Sequence, residues 1–132
     1  MAALSATQRG LWGTLTVDGM LAHVAQATRM ALGDIDVPSK GSWLFRTYVM
    51  KRLILDAIPF PKGAPTARAL LERDTSTFEP LRAEVLALLG RVADGPRDGM
   101  GPTHPLFGPL TRAEWAKLAY KHTDHHLRQF GV

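Results

Sequence analysis

Apolar residues recur at three-and-four spacing in four stretches of this chain and seldom alternate, so the pattern predicts helices rather than strands. The first helix is expected over 17–32, VDGMLAHVAQATRMAL, with Met20, His23, Val24, Ala27, Met30 and Ala31 on one face. Thr16 is placed to cap its start and Gly33 to end it. The second, 42–57, is broadly apolar and should pack on more than one side; Ser42 can cap it, and Pro59 and Pro61 stop it. The third, 77–93, carries a stripe of Phe78, Leu81, Val85, Leu88, Leu89 and Val92. Ser76 followed by Glu79 suggests a capping box there, and Pro80 is tolerable only in the first turn. The fourth, 111–129, starts at a Thr111–Glu114 capping box and stops at Gly131. Two stretches rich in proline and glycine separate the later helices and read as loops, PFPKGAPTARALLERDTST with one helical turn at 67–72, and GPRDGMGPTHPLFGP. With no Asn-Gly or Asp-Gly hairpin turn, the expectation is an all-α bundle forming a single domain over 1–132. Residues 1–15 are short for a full helix, so the first bundle helix is expected to be stunted or missing.

Composition narrows the chemistry. A chain of 132 residues can bury one sizeable core. It has no cysteine, which excludes disulfides, thiolate metal sites and a cysteine nucleophile. No apolar run reaches about 18 residues, and the N-terminus lacks a charged segment followed by an apolar one; the expected location is the cytoplasm of a bacterial-type cell. The formal charge is +4, mostly scattered, and its densest cluster, Lys51-Arg52 with Arg46 nearby, falls short of a nucleic-acid-binding tract. No Ser-His-Asp order and no phosphate-cradling glycine loop is present.

The histidines change the picture. Three of five, His122, His125 and His126, crowd the fourth helix. His122 and His126, four apart, lie above one another, the spacing that sets two metal ligands on one helix face. His122 belongs to both candidate inward stripes; the stripe through Trp115, Ala119, His126 and Phe130 leaves more room for an ion than the one through Leu118, His125 and Gln129, which favours His126 over His125. A catalytic metal usually needs a third protein ligand. His23, on the apolar face of the first helix, is the candidate, because facing helices of a bundle can bring it against the pair. The bland alternative is a buried histidine satisfied by hydrogen bonds. His104 reads as a solvated loop residue or one at the pocket mouth. Gln26 and Gln129, each about one turn after a candidate ligand, could orient an imidazole or lie on the surface. Asp124, about 200° round the helix from His122, is expected to pair with Arg128 instead.

HPLFGPLTRAEWAKLAYKHTDHHLRQFGV, with WGTLTVDGMLAHVAQATRMALGD upstream, resembles the DinB-like (YfiT-type) superfamily, and within it a branch ending in H-x-x-H-H-L-R-Q-F-G; the likeness runs from about Trp12 to the end and includes the KGAPTA loop. The resemblance implies a four-helix bundle with one divalent ion, such as nickel, zinc or iron, held by a histidine of an early helix and an H-x-x-x-H pair of the last. Residue by residue, those roles fall on His23, His122 and His126. It also implies metal-dependent chemistry on a small molecule, a thiol transfer or an isomerisation, with a low-molecular-weight thiol as partner; the reaction expected here is thiol transfer, with hydrolysis as second choice. The short N-terminus departs from the family pattern; either the chain begins late or a neighbouring subunit, as in a homodimer, covers the gap. The rival expectations are a non-catalytic helical metal-binding or interaction module and, more weakly, a nucleic-acid-binding domain using Lys51, Arg52 and Arg46.

Overall fold

The computed structural model describes residues 1, 3–38, 46–62 and 77–132. The expected Ser42 cap, the turn at 67–72 and Ser76 of the Ser76–Glu79 capping box lie outside them. In chain order the described elements are α1 (Val17–Leu32), α2 (Tyr48–Arg52) running into a π-helical turn (Leu53–Ala57), α3 (Phe78–Asp94), β1 (Met100–His104), β2 (Gly108–Thr111) and α4 (Arg112–Gln129).

The helix ends follow their capping chemistry. The Thr16 side chain accepts from the Gly19 amide at 3.1 Å, and Gly33 closes α1 in the left-handed region at φ 80°. At α4 both arms of the Thr111–Glu114 capping box form. Thr77 stands at the N-cap of α3 without a side-chain cap bond, and Pro80 falls in the first turn, where its missing N–H costs nothing.

α1 is the central element, packed on α3 and α4, and Met20–Ala25 are all buried. One apolar cluster joins Val17, Leu21 and Val24 of α1 to Leu81, Val85 and Leu88 of α3, and Leu4 and Phe130 complete it. A second gathers Met30, Leu55, Phe107, Leu110, Trp115 and Leu118 at the other end of α1. Residues 1–16 form no helix among the described ones; they run as a strap across the end of α4. Leu11 N donates to Gln129 O at 2.7 Å, the Gln8 amide donates to Phe130 O, and Arg9 bridges to Thr16. The strap takes up apolar surface that a bundle helix would otherwise cover.

The expectation of an all-α bundle is corrected by an antiparallel hairpin within the second predicted loop. Its strands pair Met100 with Thr111, Thr103 with Pro109 and His104 with Gly108, and the register shifts between Met100 and Thr103. Proline and glycine hid it: Pro102 and Pro109 argue against a strand, yet a two-stranded ribbon is all edge, so a missing N–H can face away from the partner. Tertiary contacts supply what propensity lacks. Leu110 and Phe107 are buried, and the Trp115 indole donates to Pro102 O at 2.7 Å. Gly101 permits this approach, since a Cβ there would lie 2.5 Å from Trp115 Cδ1.

His104, expected in solvent or at a pocket mouth, instead fastens the hairpin. Its Nδ1 accepts from the Leu106 and Phe107 amides, both at 3.1 Å, and its ring stacks on Phe107 at 4.6 Å. Burial lowers its pKa to about 4. The folded state therefore binds fewer protons than the unfolded chain, whose histidines titrate near 6.5. This contribution to stability is full above about pH 6.5 and is lost as the pH falls towards and through about 4. His104→Asn keeps a non-titrating acceptor, so urea unfolding between pH 4 and 8 should show a shallower loss of stability in acid than in wild type. His104→Ala should cost about 1–2 kcal/mol at neutral pH, because two amides lose their acceptor. Parallel pH dependences for wild type and His104→Asn would remove His104 from this role.

Candidate metal centre

The fourth helix sets His122 and His126 one turn apart, and the central position of α1 brings His23 against them. His122 Nε2 lies 3.0 Å from His23 Nε2 and 3.2 Å from His126 Nε2. The three rings meet nearly edge-on at centroid separations of 4.9, 4.9 and 4.7 Å. His23 and His126 are buried, whereas His122 is half-buried, so access comes from its side. Phe60, just after the π-helical turn, approaches His122 edge-on at 6.0 Å.

His125 lies to one side of the group, its ring centroid 5.2 Å from that of His126. Its ring stands edge-on to Trp12 and Phe60, each at 6.0 Å, outside the cluster of nitrogens. Asp124 pairs with Arg128 at 2.8 Å. Lys51 and Arg52, the densest basic cluster, are held in ion pairs with Glu114 at 3.3 Å and Asp56 at 2.7 Å.

Gln129 settles the protonation pattern. Its amide nitrogen donates to Trp12 O at 2.8 Å, so its Oε1 faces His126 Nδ1, also at 2.8 Å. That oxygen can only accept, hence Nδ1 carries the proton of neutral His126 and Nε2 presents a lone pair to the cluster. Burial, partly offset by the Gln129 bond, lowers the His126 pKa to about 4. Burial and then the neighbouring imidazoles of His126 and His23 hold His122 well below the ordinary histidine range. All three rings offer a nitrogen to one point. Donors about 2.0–2.1 Å from a common ion stand roughly 3.0–3.4 Å apart, so the two shortest separations suit neighbouring ligands of one cation. Among the described residues this is the group whose donor atoms could hold a metal ion; it contains no carboxylate or thiolate.

Gln129 was one of two glutamines the spacing left open; the structure makes it the partner of a candidate ligand, buried at 4 % exposure. Gly13, whose φ is 76°, makes room for it, because a Cβ there would lie 2.7 Å from Gln129 Nε2. Gln129→Ala is expected to weaken metal binding about 10–100-fold, the usual effect of losing a partner that orients a ligand histidine. Gln129→Glu, which keeps an acceptor for Nδ1–H, should lose less. Competition against a chromophoric chelator reads both; equal affinity of Gln129→Ala and wild type would show that His126 needs no such support.

The fold and site thus define a mostly helical protein with one β-hairpin and a buried group of three histidines able to hold a divalent ion. The chain belongs to the family described as "Protein of unknown function (DUF1569)", whose model matches residues 1–131. No curated protein and no solved structure matches it. No helix among the described residues is long and apolar enough to cross a membrane.

Proposed function

We propose that the protein is a metal-dependent enzyme, a thiol transferase by first preference and a hydrolase by second, with His23, His122 and His126 as ligands of one nickel, zinc or iron ion. The convergence of three Nε2 atoms in a setting without carboxylates carries this reading. Such a divalent ion supplies Lewis-acid polarisation and acidifies a water or a thiol, and three neutral ligands leave its full double charge in place. The chain's own residues prepare the setting. Gln129 holds the Nδ1 proton of His126, so that Nε2 stays a donor. Desolvation keeps His122 and His126 neutral at physiological pH, so protons do not compete for the donor nitrogens. Phe60 and Trp12 narrow the approach on the His122 side, with the Lys62 ammonium over the Trp12 ring at 4.4 Å.

The absence of cysteine fits a reaction whose nucleophile is water or an external thiol. The histidine pattern also supports kinship with the DinB-like superfamily, at the level of the site and apart from the bundle architecture that the hairpin overturns. The test is metal analysis and metal-dependent turnover of protein purified without a histidine tag, with thiol acceptors and hydrolysable esters or amides as substrates. A wild type that stays metal-free and resists reconstitution would leave a non-catalytic module.

A further inference from the structure

An open groove with a volume of about 600 Å³ lies where the C-terminal ends of α1 and α3 meet β1 and the first turns of α4; Arg91, Arg97, Met100 and Arg112 on its rim are exposed. Trp115, on its wall, precedes His122 by seven residues, roughly 10 Å of helix rise, so the groove is distinct from the histidine centre. Leu32, Val92, Pro102 and Trp115 give it an apolar lining. Three arginines, Arg91, Arg97 and Arg112, also line it, against one carboxylate, Asp94.

The arginines differ in what they have left to offer. Arg91 is engaged by Asp34 in a two-pronged pair at 2.6 and 3.0 Å. Arg97 and Arg112 each make a hydrogen bond to a main-chain carbonyl, Ala93 O at 2.9 Å and Met100 O at 3.2 Å, and neither has a carboxylate partner among the described residues. A carbonyl uses one N–H of a guanidinium and leaves its charge and remaining donors free for an anion. Apolar walls with a few charged groups at the rim are a make-up that suits a small amphiphilic anion.

We propose that this groove binds a small organic acid, its carboxylate against Arg97 and Arg112 and its apolar body along Trp115, Pro102 and Leu32. The site is independent of any metal at the histidines. The test follows the Trp115 indole N–H signal by NMR, assigned with Trp115→Phe, while octanoate is added. Octanol serves as the chain without the charge, and inorganic phosphate as the charge without the chain. The expected result is a saturable shift of the Trp115 signal with octanoate, and binding at least tenfold weaker for octanol and for phosphate. Arg97→Gln/Arg112→Gln keeps donors for the two carbonyls while removing the charges, and should weaken octanoate at least tenfold. Met100→Glu, which sets a carboxylate on the exposed lining, should do the same with both arginines still present. His122→Ala should leave the titration unchanged, which separates this site from carboxylate binding at a metal. No saturable shift with octanoate overturns the proposal. So does a shift that survives both the arginine double variant and Met100→Glu, or one that is lost in His122→Ala.

Discussion

His122→Ala is expected to abolish the metal binding proposed above and, with it, any turnover that depends on the ion. Its Nε2 lies within 3.2 Å of both others, and its side is the open one. Structural zinc sites with four ligands bind with about 10–16 kcal/mol, or roughly 3–4 kcal/mol per ligand, so loss of one should weaken affinity by roughly two to three orders of magnitude. His23→Ala and His126→Ala should behave alike, although each also opens a buried space. His125→Ala should retain stoichiometric metal, since that ring faces Trp12 and Phe60. Elemental analysis after dialysis measures occupancy directly. Thermal unfolding is a second measure: with free metal at about a thousand times its dissociation constant, the wild type gains about 4 kcal/mol and His122→Ala little. Full metal content in both His122→Ala and His23→Ala would refute the site, and loss in His125→Ala with retention in His126→Ala would mean that the ligand pair has been misassigned.

Phe130→Ala should be the most damaging single truncation outside the site. Residues this near a chain end commonly fray, yet Phe130 is 1 % exposed and belongs to the cluster that joins α1 and α3. Deleting a buried phenyl ring typically costs about 3–5 kcal/mol in lost burial and residual cavity. For a domain of this size that corresponds to a fall of roughly 10–20 °C in Tm. A second effect follows from position. Phe130 O accepts from Gln8, and Gln129 O and its side chain hold Leu11 and Trp12. Loosening the last turn of α4 should therefore release the strap and the support of His126 together, lowering metal affinity as well as stability. Phe130→Leu, which restores most of the volume, should recover most of both. Calorimetry with parallel metal titration measures the pair of effects; a Tm within about 3 °C of wild type for Phe130→Ala would mean that the terminus contributes little to the core.

The long helices were legible because their signals are local. The Thr16 and Thr111 caps and the apolar stripes of α1, α3 and α4 need only neighbours within about four residues, and the helices start within a residue of where those signals put them. Segment 48–62 was read less well. The described part of the second predicted helix widens into a π-helical turn, with Ile58 N donating to Leu53 O at 3.0 Å. The π-helical segment is gripped by α4 through Lys121 on Ile54 O and Lys117 on Asp56. No local pattern carries that grip.

At the site, the four-residue spacing of His122 and His126 and the apolar surroundings of His23 were visible in the chain itself. The part of Gln129 was visible only as one of two options. Its choice over Gln26 depends on where the Trp12 carbonyl lies, 117 residues away in sequence.

The positions of α1, α3 and α4 and the Thr16 and Thr111 caps were thus determined by the sequence alone, because helix periodicity and capping are short-range physics. The tertiary structure alone decided the hairpin, whose prolines contradict strand propensity and whose burial against Trp115 overrides it. It alone decided that the N-terminal residues, expected to lack a full helix, run as a strap across the end of α4, and that three imidazole nitrogens meet at one point. Those outcomes depend on contacts between residues far apart in the chain, whose free energy appears only once the elements are packed.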